Sequence, residues 1–379
     1  MPELLLNSLE IQGFRAFKHL RIPRLGRVNL IVGRNNSGKS SVLEAVRLYL
    51  ERGRPGVIYA LLQARGETAR VSVSEAQEGD TNLHLVAAHL FHGRAMLSNN
   101  TAPIRIAPNL SLEPDNRTLC ISFILYIEEV DEETGVERRI PATEILDPIW
   151  DEMLPGLLVR NGTGLRAILP LDESLNLIPR PIPFRRREIS PSLVFVPPNG
   201  LNNGQMGQFW DRIALRDLET AVLNCLRIIS PTVERITVMS GGERGNERYA
   251  VVRLKGQQEP VPLSSMGDGM TRLLHLALAG ANAQDGVLLI DEVENGIHYS
   301  AQPDLWRLVF EQAQHLNIQV FATTHSLDCV TAFQQAAEEN KEEEGVLIRL
   351  QHRKGEVEAI LFDEDKLGFV TRQEIEVRG

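Results

Sequence analysis

Residues 33 to 40 read Gly33-Arg34-Asn35-Asn36-Ser37-Gly38-Lys39-Ser40, a full match to the pattern G-x-x-x-x-G-K-[ST]. The motif leaves an apolar run, Asn29 to Val32, and opens a stretch with apolar residues at Val42, Leu43, Val46, Leu48 and Leu50, closed by Gly53, Pro55 and Gly56. Strand, glycine loop and helix in that order define a phosphate-binding turn. The glycines let the backbone curl so that successive N–H groups point inward at phosphate oxygens, and the helix dipole adds positive potential there. Lys39 is expected to reach the β- and γ-phosphates of a nucleotide and the Ser40 hydroxyl to hold Mg2+, with the loop from Gly33 through Ser41 wrapping the phosphates.

The second constraint is Val287-Leu288-Leu289-Ile290-Asp291-Glu292. A wholly apolar strand of this kind is covered on both faces, and ionised carboxylates at its end are costly unless a cation and a reaction lie nearby. Asp291 is therefore expected to bind Mg2+ through water, and Glu292 to orient or deprotonate an attacking water. A third strand end, Ala322-Thr323-Thr324-His325-Ser326, carries a histidine. Taken with the other two motifs, His325 is expected beside the γ-phosphate, where it can donate to that group and sense its loss.

Composition narrows the setting. With 379 residues, 43% of them hydrophobic, the chain can bury a sizeable core as one large domain or two unequal ones. A formal net charge of -10 argues against adhesion of the whole molecule to nucleic acid or anionic lipid. The charge is uneven: ten Lys/Arg against four Asp/Glu over residues 1 to 54 gives +6, leaving -16 for the remainder. The positive end coincides with the phosphate loop, so it supports nucleotide binding more securely than DNA binding. Cys120, Cys225 and Cys329 have no metal-ligand spacing and read as buried thiols in a reducing cytosol. No stretch approaches the roughly 18 apolar residues of a membrane helix, and MPELLLNSLE lacks a leader's basic and apolar regions, so a cytoplasmic chain is expected.

Along the chain, 4–11, 19–22 and 28–32 read as strands, and 41–50 as a helix. Helices are expected at 57–64 and 83–91, and strands at 104–107 and 119–127. A proline-rich crossing at 179–198, holding six of the twenty prolines and the run Arg185-Arg186-Arg187, leads back to regular structure. From there the pattern predicts a strand at 193–196 and amphipathic helix between Phe209 and Ile229, then a hairpin at 233–239 and 248–254. It continues with a helix at 270–281, a strand at 287–290, a helix at 302–316 and a strand at 319–323. Glu338 to Glu344 reads as a solvated helix end.

In this order the motifs resemble ABC-type P-loop ATPases of the RecF/SMC/OLD-like group, over roughly residues 1–54 and 190–330. The resemblance implies an α/β, ABC-ATPase-like P-loop NTPase fold with an N-terminal β subdomain. Residues 1–55 would be the N-terminal half of the ATPase head with Walker A, 56–189 an inserted α+β region, and 190–379 the C-terminal half with signature, Walker B and histidine loop. It further implies ATP and Mg2+ as cofactors, and Lys39, Glu292 and His325 as the catalytic groups.

Leu263-Ser264-Ser265-Met266-Gly267-Asp268-Gly269 looks like the group's signature motif. In the family this turn caps the nucleotide held by the other subunit, which implies a head-to-tail homodimer on ATP binding, with Ser265 and Gly267 at the nucleotide. Ser240-Gly241-Gly242-Glu243 is closer in spelling. It lies between two strands and 51 residues before Asp291, however, whereas Ser265 lies 26 before it and opens a helix, so 240–247 is expected to be a hairpin loop. Gly13-Phe14-Arg15-Ala16-Phe17 resembles the group's short N-terminal element, which places Arg15 near phosphate. Glu294-Asn295-Gly296-Ile297-His298 looks like the family's loop linking active site to dimer interface. Neither Gln63 nor Gln77 takes the place of the family's metal-sensing glutamine.

Departures from the group also inform. SMC-type proteins separate their nucleotide motifs with long heptad arms, and the 252 residues from Lys39 to Asp291 are proline-bearing and non-heptad. OLD-type nucleases append a Toprim domain, for which the 53 residues after Ser326 are too few; Asp363-Glu364-Asp365 reads as a charged turn. Two functions fit. One is an ATPase coupled to DNA or a partner protein in DNA repair or anti-phage defence. The other is an ATP-gated interaction module with slow hydrolysis that recruits a separately encoded effector, such as a nuclease, through 56–189. No membrane partner is expected.

Overall fold

The computed structural model describes residues 3–71, 82–110, 117–130, 137–144, 152–162, 166–178, 191–241, 247–340 and 344–362. Arg185 to Arg187, Gln77 and Asp363 to Asp365 lie outside these residues. The first part of the chain forms β1 (Leu9–Phe14), β2 (Phe17–Ile22), β3 (Val28–Gly33), α1 (Lys39–Leu50), α2 (Pro55–Ala64), β4 (Thr68–Val71) and β5 (Asn82–Leu85). The middle forms β6 (Ile104–Ala107), β7 (Leu119–Val130), β8 (Glu137–Pro141), β9 (Leu154–Arg160), β10 (Arg166–Pro170), β11 (Leu193–Val196), α3 (Asn203–Ile213), α4 (Asp217–Ile229), β12 (Val233–Gly241), β13 (Glu247–Leu254) and β14 (Val261–Pro262). The last part forms α5 (Asp268–Asn282), β15 (Val287–Ile290), α6 (Gln302–His315), β16 (Gln319–Thr324), α7 (Leu327–Glu339), β17 (Gly345–Arg353) and β18 (Glu356–Phe362).

One sheet runs β11-β15-β16-β3-β17-β18, parallel from β11 through β17 with β18 turned back antiparallel on the edge. Its strands β15, β16 and β3 are buried along their whole length because both faces are covered, and the two-residue alternation of strand side chains sends neighbours into different cores. Leu30, Leu288, Ile290, Val320 and Ala322 join one cluster with side chains of α3 to α7. Ile31, Val287, Leu289 and Phe321 join the opposite cluster with α1 and α2. This α/β layering matches the expected fold class.

A second sheet, antiparallel, runs β10-β9-β7-β6-β1-β2, with β8 on β7. The segment expected as an insertion, 56–189, therefore does not stand apart from residues 1–55. β6 pairs with β1 in the register Ile11↔Ile106. Their shared core is so close that a Cβ on Gly53 would lie 2.7 Å from both Leu119 and Val159. A boundary at residue 55 is invisible in the packing because the N-terminal strands supply one edge of the sheet that the later strands complete.

One expected element is corrected. The helix expected at 83–91 is the strand β5, paired with β4, followed by a 3-10 turn at Ala87–Leu90. Cross-strand pairing overrode a short apolar run whose periodicity does not separate strand from helix. Beyond Ser326 the chain adds α7, β17 and β18, and β17 lies directly beside β3 with Leu347 opposite Leu30. The other strands and helices named from the pattern overlap observed elements, whereas β4, β8, β9, β10 and β14 were not among those the pattern named. Ser240↔Arg248 and Gly241↔Glu247 pair across β12 and β13, so Ser240 and Gly241 end a strand of a hairpin, as expected, and 242–246 lie outside the described residues. Cys225 and Cys329 are buried and Cys120 half-buried. No helix among the described residues is long and apolar enough to cross a membrane.

Candidate active site

The three motif loops leave the carboxyl ends of β15, β16 and β3, adjacent in that order, so the sheet gathers them on one edge. This is where ligands sit in open parallel sheets. Helix α1 begins at Lys39 with Gly38 as its N-cap at φ 94, and a Cβ there would lie 2.7 Å from the Phe17 ring. Only glycine meets both conditions. The first-turn N–H groups of α1 have no partner within the helix and face the loop's concavity. Lys39 Nζ donates to the carbonyls of Gly33 and Arg34, at 2.9 and 3.0 Å, which curls the lysine over the loop. Arg34, Asn35 and Asn36 are exposed on its rim and Ser37 is buried beneath it. Burial lowers the Lys39 pKa, and the charges of Asp291, Glu292 and Glu294 oppose that shift. The lysine and the acids therefore share one electrostatic site.

At the end of β15, Asp291 is 7% exposed. Its backbone N–H donates to Val196 O, and its Oδ1 accepts the Thr323 hydroxyl at 2.5 Å. The same hydroxyl accepts the Glu292 N–H at 2.8 Å. Glu292 sits at φ 50, a conformation that costs a non-glycine residue of order 1–3 kcal/mol. That backbone turn separates the two carboxylates: Asp291 is buried, while Glu292 is half-buried with Oε2 accepting Asn295 Nδ2 at 2.7 Å.

Sequence reasoning passed over the residue that braces this turn. Arg272, on α5, is 4% exposed and donates to four carbonyls: Pro197 and Pro198 beyond β11, and Asp291 and Glu292 beyond β15. Burial pushes its pKa down to about 10, offset by Glu294, Asp291 and Glu292, so the guanidinium stays charged at neutral pH. One turn on, His275 Nδ1 accepts the Leu201 N–H, and burial together with the Arg272 charge pushes its pKa down to about 4. The visible signal was Arg272 and His275, three residues apart on a stretch that is apolar from Leu273 to Ala281 except for that histidine.

His325 follows β16. It lines a shallow pocket with Val32, Gly33, Thr324, Ser326, Leu327 and Val330, so the phosphate loop and the histidine segment share a wall. Its N–H donates to Glu294 Oε1 at 3.0 Å, and its Nδ1 lies 3.2 Å from the same oxygen. Ser326 caps α7, its hydroxyl accepting the Cys329 N–H.

Of the remaining expected nucleotide contacts, one group is placed away from its own chain's phosphate loop and one is overturned. Ser265 and Gly267 are on an exposed turn before α5, with Ser265 Oγ donating to Pro262 O and Gly267 at φ 99 as the N-cap. Among the described residues no hydrogen bond links them to the phosphate loop of their own chain. Their helix does abut the acid turn: a Cβ on Gly269 would lie 3.0 Å from Gly296 O. Arg15 is a correction. It is buried, with Nη1 donating to Glu67 Oε1 at 2.8 Å and Nε 2.6 Å from Glu44 Oε2, and Glu44 also accepts Arg65 Nε. A guanidinium already held by two buried carboxylates is not available to phosphate.

A glycine loop at a helix N-terminus, an acid-ended strand and a histidine loop on one parallel sheet define a P-loop nucleotide triphosphatase. Comparison with known proteins narrows this. Residues 5–146 match the family model described as "AAA ATPase domain", and residues 166–328 the one described as "AAA domain, putative AbiEii toxin, Type IV TA system". The chain is 24% identical over 359 residues to an ATP/GTP phosphatase of Helicobacter pylori (strain ATCC 700392 / 26695), covering 88% of this chain and 89% of that one. It is 42% identical over 45 residues, 12% of each chain, to the DNA replication and repair protein RecF of Thioalkalivibrio sulfidiphilus (strain HL-EbGR7). Among solved structures, an SMC head bound to the C-winged helix domain of ScpA has a TM-score of 0.48 at 13% identity, covering 94% of this chain and 97% of that one. The SMC head domain from Thermotoga maritima has a TM-score of 0.43 at 16% identity, covering 95% and 100%. With the site's geometry, these ATPase-domain matches make the chain an ATP hydrolase.

Proposed function

We propose that this ATPase hydrolyses Mg-ATP at the edge formed by β15, β16 and β3, and that the cycle opens and closes a head-to-tail pair of chains. The observation that carries the reading is the convergence of Lys39, Asp291, Glu292 and His325 on that one edge. Lys39 holds the β- and γ-phosphates, exchanging its loop carbonyls for phosphate oxygens. Ser40 and Asp291 form an oxygen-only donor set, which suits Mg2+; the ion would neutralise phosphate charge. Glu292, less buried than Asp291 and turned away from it, orients or deprotonates the attacking water. His325 donates to the γ-phosphate across the shared pocket.

Ser265 and Gly267 stand exposed on a helix N-terminus, an anion-favouring position away from their own chain's phosphate loop, which supports a role on the nucleotide of a second copy. The short similarity to RecF favours a DNA-linked role, and the toxin named for the family that matches residues 166–328 favours a defence role. Both readings make ATP turnover the driver of a partner or DNA transaction in the cytoplasm. In the alternative to these, turnover is not the driver: hydrolysis is slow and ATP binding itself recruits a separately encoded effector such as a nuclease.

Steady-state ATPase measured with and without DNA separates the two. Stimulation by DNA supports the engine; unstimulated, slow turnover with ATP-dependent capture of an effector supports the gate. Light scattering of Glu292→Gln in saturating Mg-ATP tests the pairing: a dimer is expected, and a monomer would overturn it.

A further inference from the structure

Glu294 is the carboxylate that the roles above leave unused. It is 8% exposed, and a buried carboxylate is costly unless charge or hydrogen bonds compensate. Oε1 takes both His325 contacts, the backbone N–H at 3.0 Å and Nδ1 at 3.2 Å. Oε2 is shut off from solvent without a hydrogen-bond partner. Among the acids around Arg272, Glu294 does most to offset that arginine's burial, so a cation stands near the carboxylate. The arrangement is a chain of charge from α5, through the turn after β15, to the end of β16.

The His325 ring is about half exposed, and an untethered ring at a helix entrance samples several rotamers. Nδ1 lies 3.2 Å from an oxygen that only accepts, so a ring that bonds Glu294 and also donates to a phosphate oxygen carries a proton on each nitrogen, Nδ1–H toward the carboxylate and Nε2–H free for the phosphate. We propose that Glu294 is a positioning residue for hydrolysis: it clamps His325 at both backbone and Nδ1, so that Nε2 addresses the phosphate end of the bound nucleotide. The proposal rests on the reading of His325 given under Proposed function. It adds that the histidine is held from the acid turn itself, so that the water-activating strand and the phosphate-contacting histidine move as one unit.

The test compares turnover and equilibrium binding of a fluorescent ATP analogue in the full chain carrying Glu294→Leu, Glu294→Gln, Glu294→Asp, His325→Ala, and Glu294→Leu with His325→Ala. Glu294→Leu is expected to lower kcat on the order of tenfold to a hundredfold, the scale of a misplaced reacting group, with analogue Kd within about threefold of wild type. Glu294→Gln keeps an acceptor at the same reach and should recover most of the rate. Glu294→Asp keeps the charge but retracts it by one methylene, and should be slower than Glu294→Gln. The double variant should be no slower than the slower single one, since both remove one interaction. Independent, multiplying losses, or wild-type kcat in the Glu294 variants while His325→Ala is slow, would overturn this inference and leave the His325 role standing. A fully active His325→Ala would overturn both. Should thermal melting find Glu294→Leu unfolded, the order of the Gln and Asp variants still decides.

Discussion

The Thr323 hydroxyl donates to Asp291 Oδ1 at 2.5 Å, tying the end of β16 to the acid at the end of β15. It also accepts the Glu292 N–H, so one side chain sets the orientation of the first acid and the backbone of the second. Thr323→Val preserves shape and removes both bonds, leaving a buried carboxylate oxygen and an N–H without their partner. The expected cost is about 1–3 kcal/mol in chemical denaturation, with a lower kcat; Thr323→Ser should restore both.

Arg272 serves four carbonyls from two strand ends at once, which demands a planar fork of donors. Lysine keeps the charge but not the fork. Arg272→Lys is therefore expected to destabilise by about 2 kcal/mol or more and to lower ATPase activity. Equal stability and rate in the lysine variant would refute this bracing role.

Removal of Arg15 distinguishes a phosphate ligand from a core ion cluster. Arg15→Met leaves Glu44 with only Arg65 of its two close cations and Glu67 without the paired donor that its two oxygens share. Burial already raises the Glu44 pKa, and Arg15 is the first of the charges holding it down. The loss of stability should be about 3–5 kcal/mol, while the folded fraction binds ATP as wild type does. Calorimetry together with nucleotide titration reads both quantities.

His275 makes stability depend on pH. Its folded pKa of about 4 lies below the ordinary histidine value of 6.5, so between these values the unfolded chain binds more protons than the folded one. Stability therefore rises with pH across that window: the contribution is fully present above about pH 6.5 and is lost as pH falls toward 4, a total of about 3 kcal/mol. Denaturant titrations at pH 7 and pH 5 should differ accordingly. His275→Gln, which titrates in neither state, should remove that part of the slope.

As a linear string, the chain declares the phosphate loop and the acid-ended strand, because each is a contiguous run whose spacing carries its chemistry. Gly38 followed by Lys39 and Ser40 needs no distant residue to be recognised, and neither does the apolar run that ends on Asp291 and Glu292. Alternation and helical period likewise locate most elements from Ser192 onward. The same logic misread 83–91, where a short apolar run suits either structure, and gave no sign that β1 pairs with β6 across the expected boundary at residue 55.

Tertiary structure alone decided what braces the site. Thr323 meets Asp291 across 32 positions, Arg272 reaches back to Pro197 across 75, and Glu294 holds His325 across 31. Arg15, which resembled a phosphate ligand, is claimed by Glu44 on α1 and by Glu67, just past α2. These partners are set by strand order and by which helix covers which face. Local periodicity encodes that a strand is buried, but not which neighbour lies beside it, so contacts between strand ends emerge only when the sheet is assembled.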